Sequence, residues 1–273
     1  MTIGATGWWD QEKIFSFTNP KPVGINGEVN ESLYPITYRF SFPDGELKEF
    51  YVELERPELR LHRTASPLDL PVWTELSHQR CPNCSLCEKT YSHCPVAVNL
   101  VGVVEAFNDV FSYEESDVEV ITQARIFSSR VKNTHAVGSL IGIYMVTSGC
   151  PVMDKLRPMV LTHLPFATTE ESVYRSISMY LMAQYFRYKK GLVPDWDLTQ
   201  FTAFYDDVST VNQAFVKRLT TYVERDASLN AVVLLNCFAT ATRRVIEQER
   251  FEEVQKMFGA YFDGPAGPCS GEA

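Results

Sequence analysis

The chain has 273 residues, of which 45% are hydrophobic and 22% charged, so it is long enough to bury a full core and has the composition of a globular protein. Its formal net charge of −9 excludes a general nucleic-acid binder, because phosphate binding needs a concentrated basic face. The apolar runs near residues 140–146 and 231–235 are shorter than the ~20 residues of a membrane helix, so we expect no membrane partner. The N-terminus has no basic region followed by an apolar run, which predicts a cytoplasmic protein.

The first regular element predicted is a β-hairpin. Residues 1–34 have no clear period and are predicted to form an irregular arm. Apolar and polar residues then alternate over residues 36–42 and 50–55, which is the period of half-buried strands. Pro43, Asp44 and Gly45 have the chemistry of a turn, since proline presets φ and glycine accepts a positive φ. The pattern predicts a hairpin over residues 36–55.

After a proline-containing connector and a cysteine-rich stretch, the chain becomes mainly helical. Apolar spacing predicts a helix over about residues 95–110, and Val118, Val120 and Ile126 predict a third strand. Further helices are predicted at residues 134–148, 151–163, 168–190, 198–225 and 227–259.

Two helix starts carry capping signals. Thr168 with Glu171 fits a capping box, and Asp197 with Gln200 resembles a second N-cap.

These elements predict an α+β fold. Residues 35–133 are expected to form a small β-hairpin or sheet with a cysteine-rich metal-binding loop. Residues 134–262 are expected to form a mainly helical bundle packed on it, followed by a loose Gly- and Pro-rich tail over residues 263–273.

Four of the 17 residues from His78 to Cys94 are cysteines, a density that metal coordination by thiolates explains and packing does not. Cys81 and Cys84 form a Cys-x-x-Cys pair, which supplies two zinc ligands from one tight turn. Cys87 extends the pattern to Cys-x-x-Cys-x-x-Cys, which is also found around iron–sulfur clusters. The motif therefore leaves Zn²⁺ and a 4Fe-4S cluster open.

A further cysteine, Cys150, shares with Cys94 a position directly before a proline. Proline suits the first turn of a helix, so both cysteines are predicted at helix N-caps, where the positive end of the dipole favours a thiolate. Two ligand sets follow: the contiguous set Cys81, Cys84, Cys87 and Cys94, and a composite set in which Cys150 replaces Cys87. We favour the composite set, because it would clamp the loop to the helical half, with Cys87 as the alternative fourth ligand.

Other candidate residues have commoner structural roles. His78 and His93 flank the cluster, and either would complete a site of three cysteines and one histidine. His163 could serve as a base for Cys150 in a thiol enzyme, although a histidine that caps a helix end is commoner. Cys237 lies in an apolar helix and is predicted to be buried. No Gly-rich phosphate loop, Gly-x-Ser-x-Gly or His-Glu-x-x-His motif occurs, which disfavours an enzyme.

Four segments carry a family resemblance: CPNC at residues 81–84, HCPVAVNL at 93–100, TSGCP at 147–151 and HLPFA at 163–167. They resemble a bacterial domain family of unknown function over roughly residues 35–190. The resemblance implies a bacterial, cytoplasmic protein and adds no activity.

The sequence thus predicts a metal-binding interaction or regulatory protein, and it disfavours catalytic activity without excluding it. We expect a structural four-cysteine zinc site and an unidentified protein partner. The alternative is an iron–sulfur protein in electron transfer or redox sensing.

Overall fold

The computed structural model describes residues 31–62, 69–248 and 252–262. Most of the predicted arm and the whole predicted tail lie outside these residues. The first strand begins at Leu33, so the regular structure starts slightly before the predicted boundary.

The N-terminal half is built on one antiparallel sheet of five strands in the order β3-β2-β1-β4-β5. The strands are β1 (Leu33–Ser41), β2 (Leu47–Glu55), β3 (Arg60–Leu61), β4 (Glu115–Thr122) and β5 (Ile126–Lys132). The predicted hairpin is confirmed as β1 and β2, with Gly45 at φ +92° in the turn. Alternation in β1 buries Ile36, Tyr38 and Phe40, the face that packs on the helices.

The predicted single third strand is wrong, because this region forms a second hairpin of β4 and β5 with Ile121 opposite Ile126. The strand β5 lies at the sheet edge and alternates between half-buried and exposed residues. A strand with no fully buried face lacks the apolar alternation by which sequence reasoning finds strands.

The helical elements follow the sheet strands or lie between them. They are α1 (Pro95–Ala106), α2 (Asn133–Thr147), α3 (Thr169–Lys189), α4 (Thr199–Thr220), α5 (Ala227–Glu247), α6 (Glu252–Lys256) and α7 (Gly259–Phe262), with 3-10 helices at Val72–Thr74 and Met153–Thr162. The helix predicted over 151–163 is thus a 3-10 helix, and it contains Pro158. Proline lacks the N–H that an α-helix needs at an interior position. The helix predicted over 227–259 is divided into α5, α6 and α7.

The two predicted caps have different outcomes. The Thr168 capping box is confirmed: the Glu171 amide donates to Thr168 Oγ1 at 3.2 Å, and the Thr168 amide donates to Glu171 Oε2 at 2.8 Å. The Asp197 cap is wrong. Asp195 instead accepts from the Thr199 amide at 3.1 Å and the Gln200 amide at 2.9 Å, so the carboxylate that serves α4 lies two residues earlier.

The buried hydrophobic residues of the sheet and of α1, α2, α4 and α5 form one cluster. The α2 and α5 helices approach closely, since a Cβ added at Gly138 would lie 3.5 Å from the Ala231 carbonyl oxygen. The chain is therefore α+β, as predicted, with a mainly helical second half.

One helix of the described residues, α5, is long and apolar enough to cross a membrane, with a mean hydropathy of 1.2. It passes that test by length and composition alone, and a helix in the core of a globular protein passes it too. Here α5 packs against α2, α3 and α4, and Ala231, Val232 and Ala239 are buried.

Candidate metal centre

The cysteine loop, residues 76–93, is closed at its base by a β-bridge between Glu75 and His93. The Cys94 amide donates to the Thr74 carbonyl at 2.8 Å and continues this pairing. Cys94 is the N-cap of α1 and Pro95 its first residue, as predicted. The base of the loop therefore places Cys94 at the positive end of a helix.

The Cys-x-x-Cys pair lies in a tight turn, in which the Cys84 amide donates to the Cys81 carbonyl at 3.0 Å. Arg80 holds the turn from outside by donating to the Cys84 carbonyl at 3.2 Å. Asn83 docks it on α4: its Nδ2 donates to the Asp207 carbonyl at 3.0 Å and to Asp207 Oδ1 at 3.1 Å. This turn is thus fixed to the helical half of the molecule.

Cys150 follows α2 after a turn at Gly149, whose φ of +87° favours glycine. The predicted N-cap position is wrong, because the helix that follows is a 3-10 helix capped by Val152. The main-chain N–H groups of Val152 and Met153 nevertheless act to lower the pKa of the Cys150 thiol. The short turn therefore still supplies the positive surroundings expected of a helix start.

The four cysteines of the composite set lie close enough to influence one another electrostatically. Cys94, Cys150 and Cys84 all act on the Cys81 thiol, and Cys94 and Cys84 act on Cys150. Cys87 does not act on either thiol, and its side chain is exposed. These electrostatic effects favour the composite set over one with Cys87, and the ligand set stays a prediction.

The thiols do not form a finished coordination shell. Among the described residues, no group of three or more His, Cys, Asp or Glu side chains is arranged to hold a metal ion. Burial, and then the neighbouring thiols, raise the pKa of Cys81 to about 12, while Arg218 acts to lower it. Burial also raises the pKa of Cys150, against the lowering effect of the amides of Val152 and Met153. The thiolate expected at Cys150 from its position is therefore a thiol as long as it has no further partner.

A buried arginine lies beside this cluster. Arg218 of α4 is 2% exposed, and its Nη1 donates to the carbonyls of Trp73 at 2.5 Å and Glu75 at 2.7 Å, at the base of the cysteine loop. Burial lowers the pKa of Arg218, and the groups that act to raise it are the thiols of Cys94, Cys81 and Cys84. Within the described part of the chain, the groups that raise the pKa of Arg218 are therefore cysteines rather than carboxylates, and they become counter-charges only when their thiols ionise.

Sequence reasoning missed Arg218, although a signal exists. Arg218 lies three residues after Phe215 and seven after Val211, on the apolar stripe of α4. A lone arginine on a buried helix face needs a partner, because an unpaired charge in the interior is costly.

The other predicted residues lie elsewhere. His78 Nε2 bonds to Thr221 Oγ1 at 3.1 Å, and His93 Nδ1 bonds to Ser92 Oγ at 2.8 Å. Cys237 is exposed on α5, so its predicted burial is wrong.

The hydrogen bonds of His163 in the described part of the chain are made to residues other than Cys150. His163 is the C-cap of the 3-10 helix Met153–Thr162, and its Nε2 lies 2.6 Å from the Tyr38 hydroxyl and 3.4 Å from Ser139 Oγ.

The fold places the chain in the α+β class, and its candidate cysteines lie in a loop, at a helix start and in a distant turn. The family model described as the domain of unknown function DUF6901 matches residues 36–259, and the chain belongs to this family. The resemblance to an uncharacterised domain family is confirmed, while bacterial origin stays a prediction. No curated protein and no solved structure matches the chain.

Proposed function

We propose that the protein binds one zinc ion through Cys81, Cys84, Cys94 and Cys150, and that this ion fixes the cysteine loop to the helical half. Structural zinc sites are closed and tetrahedral with four protein ligands, and four thiolates are one of their common ligand sets. The four residues belong to the loop, the start of α1 and the turn after α2. One ion would therefore cross-link three separate segments.

The observation that carries the proposal is the charge balance around Arg218. Four thiolates around Zn²⁺ have a net charge of −2, which is unfavourable in a half-buried site unless a cation lies nearby. Arg218 is that cation, and it is held in place by the carbonyls of Trp73 and Glu75. The same pairing removes the cost of burying the arginine without a carboxylate.

Binding requires two changes in the cluster. The thiols of Cys81 and Cys150, whose pKa values are raised by burial, must lose their protons to become ligands. Their side chains must also rotate toward a common centre. The N–H groups of Val152 and Met153 then stabilise the Cys150 sulfur as an outer shell of hydrogen bonds.

The site supports a structural role better than a catalytic one. Four protein ligands leave no open position for water or substrate. We therefore propose a non-catalytic protein with a protein partner, in a reducing compartment such as the cytoplasm, where thiols persist.

The alternative is a 4Fe-4S cluster on the same four cysteines. The main-chain N–H groups of Val152 and Met153, which act on the Cys150 thiol, favour it as well, because N–H groups that bond to cluster sulfurs tune the reduction potential. The two metals differ in colour, since zinc is colourless and thiolate-bound clusters absorb visible light.

The test is the metal content and visible spectrum of anaerobically purified protein and three variants. We expect one zinc per chain in the wild type and in Cys87→Ser and Cys237→Ser, and a loss of zinc in Cys150→Ser. Iron and sulfide together with visible absorption would show that the site holds a 4Fe-4S cluster instead of zinc. A Cys150→Ser variant with full metal content would contradict the composite ligand set.

A further inference from the structure

A cavity of about 180 Å³ lies between α2, α3, α5 and the 3-10 helix Met153–Thr162. Most of its lining is apolar, including Ile143, Val146, Leu156, Val160, Leu235 and Phe238. A cavity of roughly 150 Å³ with such a lining holds a benzene molecule. The space is therefore suited to one small ring or a short chain.

Polar groups meet at one part of the lining, where Ser139, His163 and Arg175 converge. Tyr38, 0% exposed, lies behind them and bonds to Ser139 Oγ at 2.7 Å and to His163 Nε2 at 2.6 Å. Burial, and then the charge of Arg175, lower the pKa of His163 to about 3. At neutral pH His163 is uncharged, and Arg175 is the cation of this group.

Arg175 has unused binding capacity. Its Nη2 donates to the Met159 carbonyl at 2.9 Å, while its buried Nε has no hydrogen-bond partner. Glu171 acts on its pKa from a distance, but no carboxylate in the described ranges pairs with it. A buried guanidinium donor without an acceptor is costly, and a carboxylate is the acceptor whose geometry matches it best.

We propose that this cavity binds a small carboxylate with a short aromatic or aliphatic group, with the carboxylate on Arg175 and the apolar group among the side chains of α2 and α5. Ligand pockets commonly combine such an apolar lining with a few placed polar groups. The proposal is independent of the metal site, because none of the four candidate cysteine ligands lines the cavity.

The probes are benzoate and its neutral analogue benzyl alcohol, titrated calorimetrically into the full chain. We expect benzoate to bind, and Arg175→Gln to weaken binding by about tenfold or more, as for a lost charged hydrogen bond. Arg187→Gln is the matched control, since Arg187 is also on α3 and also donates to a main-chain carbonyl, that of Val193, outside the cavity.

Several results would overturn the proposal. They are an unchanged affinity in Arg175→Gln, benzyl alcohol binding as tightly as benzoate, or no benzoate binding up to about 10 mM, the range expected for so small a ligand. Should Arg175→Gln fail to fold, the wild-type Nε–H resonances decide. Benzoate should shift the Arg175 signal and leave that of Arg187 in place, and an unmoved Arg175 signal would contradict the site.

Discussion

Two arginines of this protein, the buried Arg218 and the half-buried Arg175, have similar main-chain partners but different electrostatic surroundings. Arg218 donates to the carbonyls of Trp73 and Glu75, and Arg175 donates to that of Met159. Burial lowers the pKa of both. Thiols that can ionise surround Arg218, whereas Arg175 faces an apolar cavity and a neutral histidine. The comparison teaches that one cation lies among thiols that can balance its charge when they ionise, while the other pairs with no carboxylate among the described residues.

Metal removal is expected to have the largest effect, and it should act on the cysteine cluster beside Arg218. A ligand present at about 1,000 times its Kd adds about 4 kcal/mol to the free energy of unfolding, and structural zinc binds still more tightly. Chelation should therefore lower the stability measured by urea denaturation by about 4 kcal/mol or more. Benzoate binding at Arg175 should be preserved. Equal unfolding midpoints with and without chelator would break the account of the cysteine cluster.

Acid should act on the cavity that contains Arg175, through the protonation of His163. Its pKa is lowered from 6.5 to about 3 in the folded protein, so the unfolded chain takes up the proton first as pH falls. The stability contributed by neutral His163 is complete above pH 6.5 and is lost toward pH 3, where the loss is about 4 kcal/mol.

Unfolding measured between pH 7 and pH 4 in two variants isolates this contribution. The acid-dependent loss should shrink in His163→Gln and persist in His135→Gln, because His135 is exposed at the cavity rim. The same pH dependence in both variants would assign the acid sensitivity to other groups.

Replacing each arginine with methionine sharpens the contrast directly. Arg218→Met leaves two carbonyls and the thiolates without their cation, and we expect a loss of about 3 kcal/mol. Arg175→Met removes a half-buried charge that has no carboxylate partner among the described residues, and it should change stability by less than about 1 kcal/mol, or stabilise the fold. Urea denaturation of both metal-loaded variants measures the difference, and equal losses would contradict it.

The smallest expected effect concerns the docking of the cysteine loop on α4. Asn83→Ala removes two hydrogen bonds to Asp207 and should cost about 1 kcal/mol. Zinc should remain bound, though more weakly. The measurements are thermal unfolding and competition with a chelator, and complete loss of the metal would mean that Asn83 is essential to the site.

Local patterns in the sequence predicted local structure well. The alternation around Ile36 and Tyr38 gave the hairpin, and the spacing of Thr168 and Glu171 gave a capping box. The strand β5 was missed because it lies at the sheet edge and buries no face. The cap of α4 was misplaced because Asp195 reaches its amides from outside the usual spacing.

The two candidate sites were predictable to different degrees. Cysteine spacing and two Cys-Pro steps indicated the composite set, which stays a prediction, although its thiols act on the pKa values of Cys81 and Cys150. Arg218 was not predicted because its hydrogen-bond acceptor, the Trp73 carbonyl at the base of the cysteine loop, lies more than a hundred residues away in the sequence. The cavity around Arg175 left no local signal, since it arises from the packing of α2, α3 and α5.

The most direct test of the central claim is X-ray absorption spectroscopy at the zinc edge of the purified protein. The account predicts four sulfur ligands at about 2.3 Å and no nitrogen or oxygen ligand. Fewer than four sulfur ligands, or the absence of a zinc absorption edge, would contradict the four-thiolate zinc site.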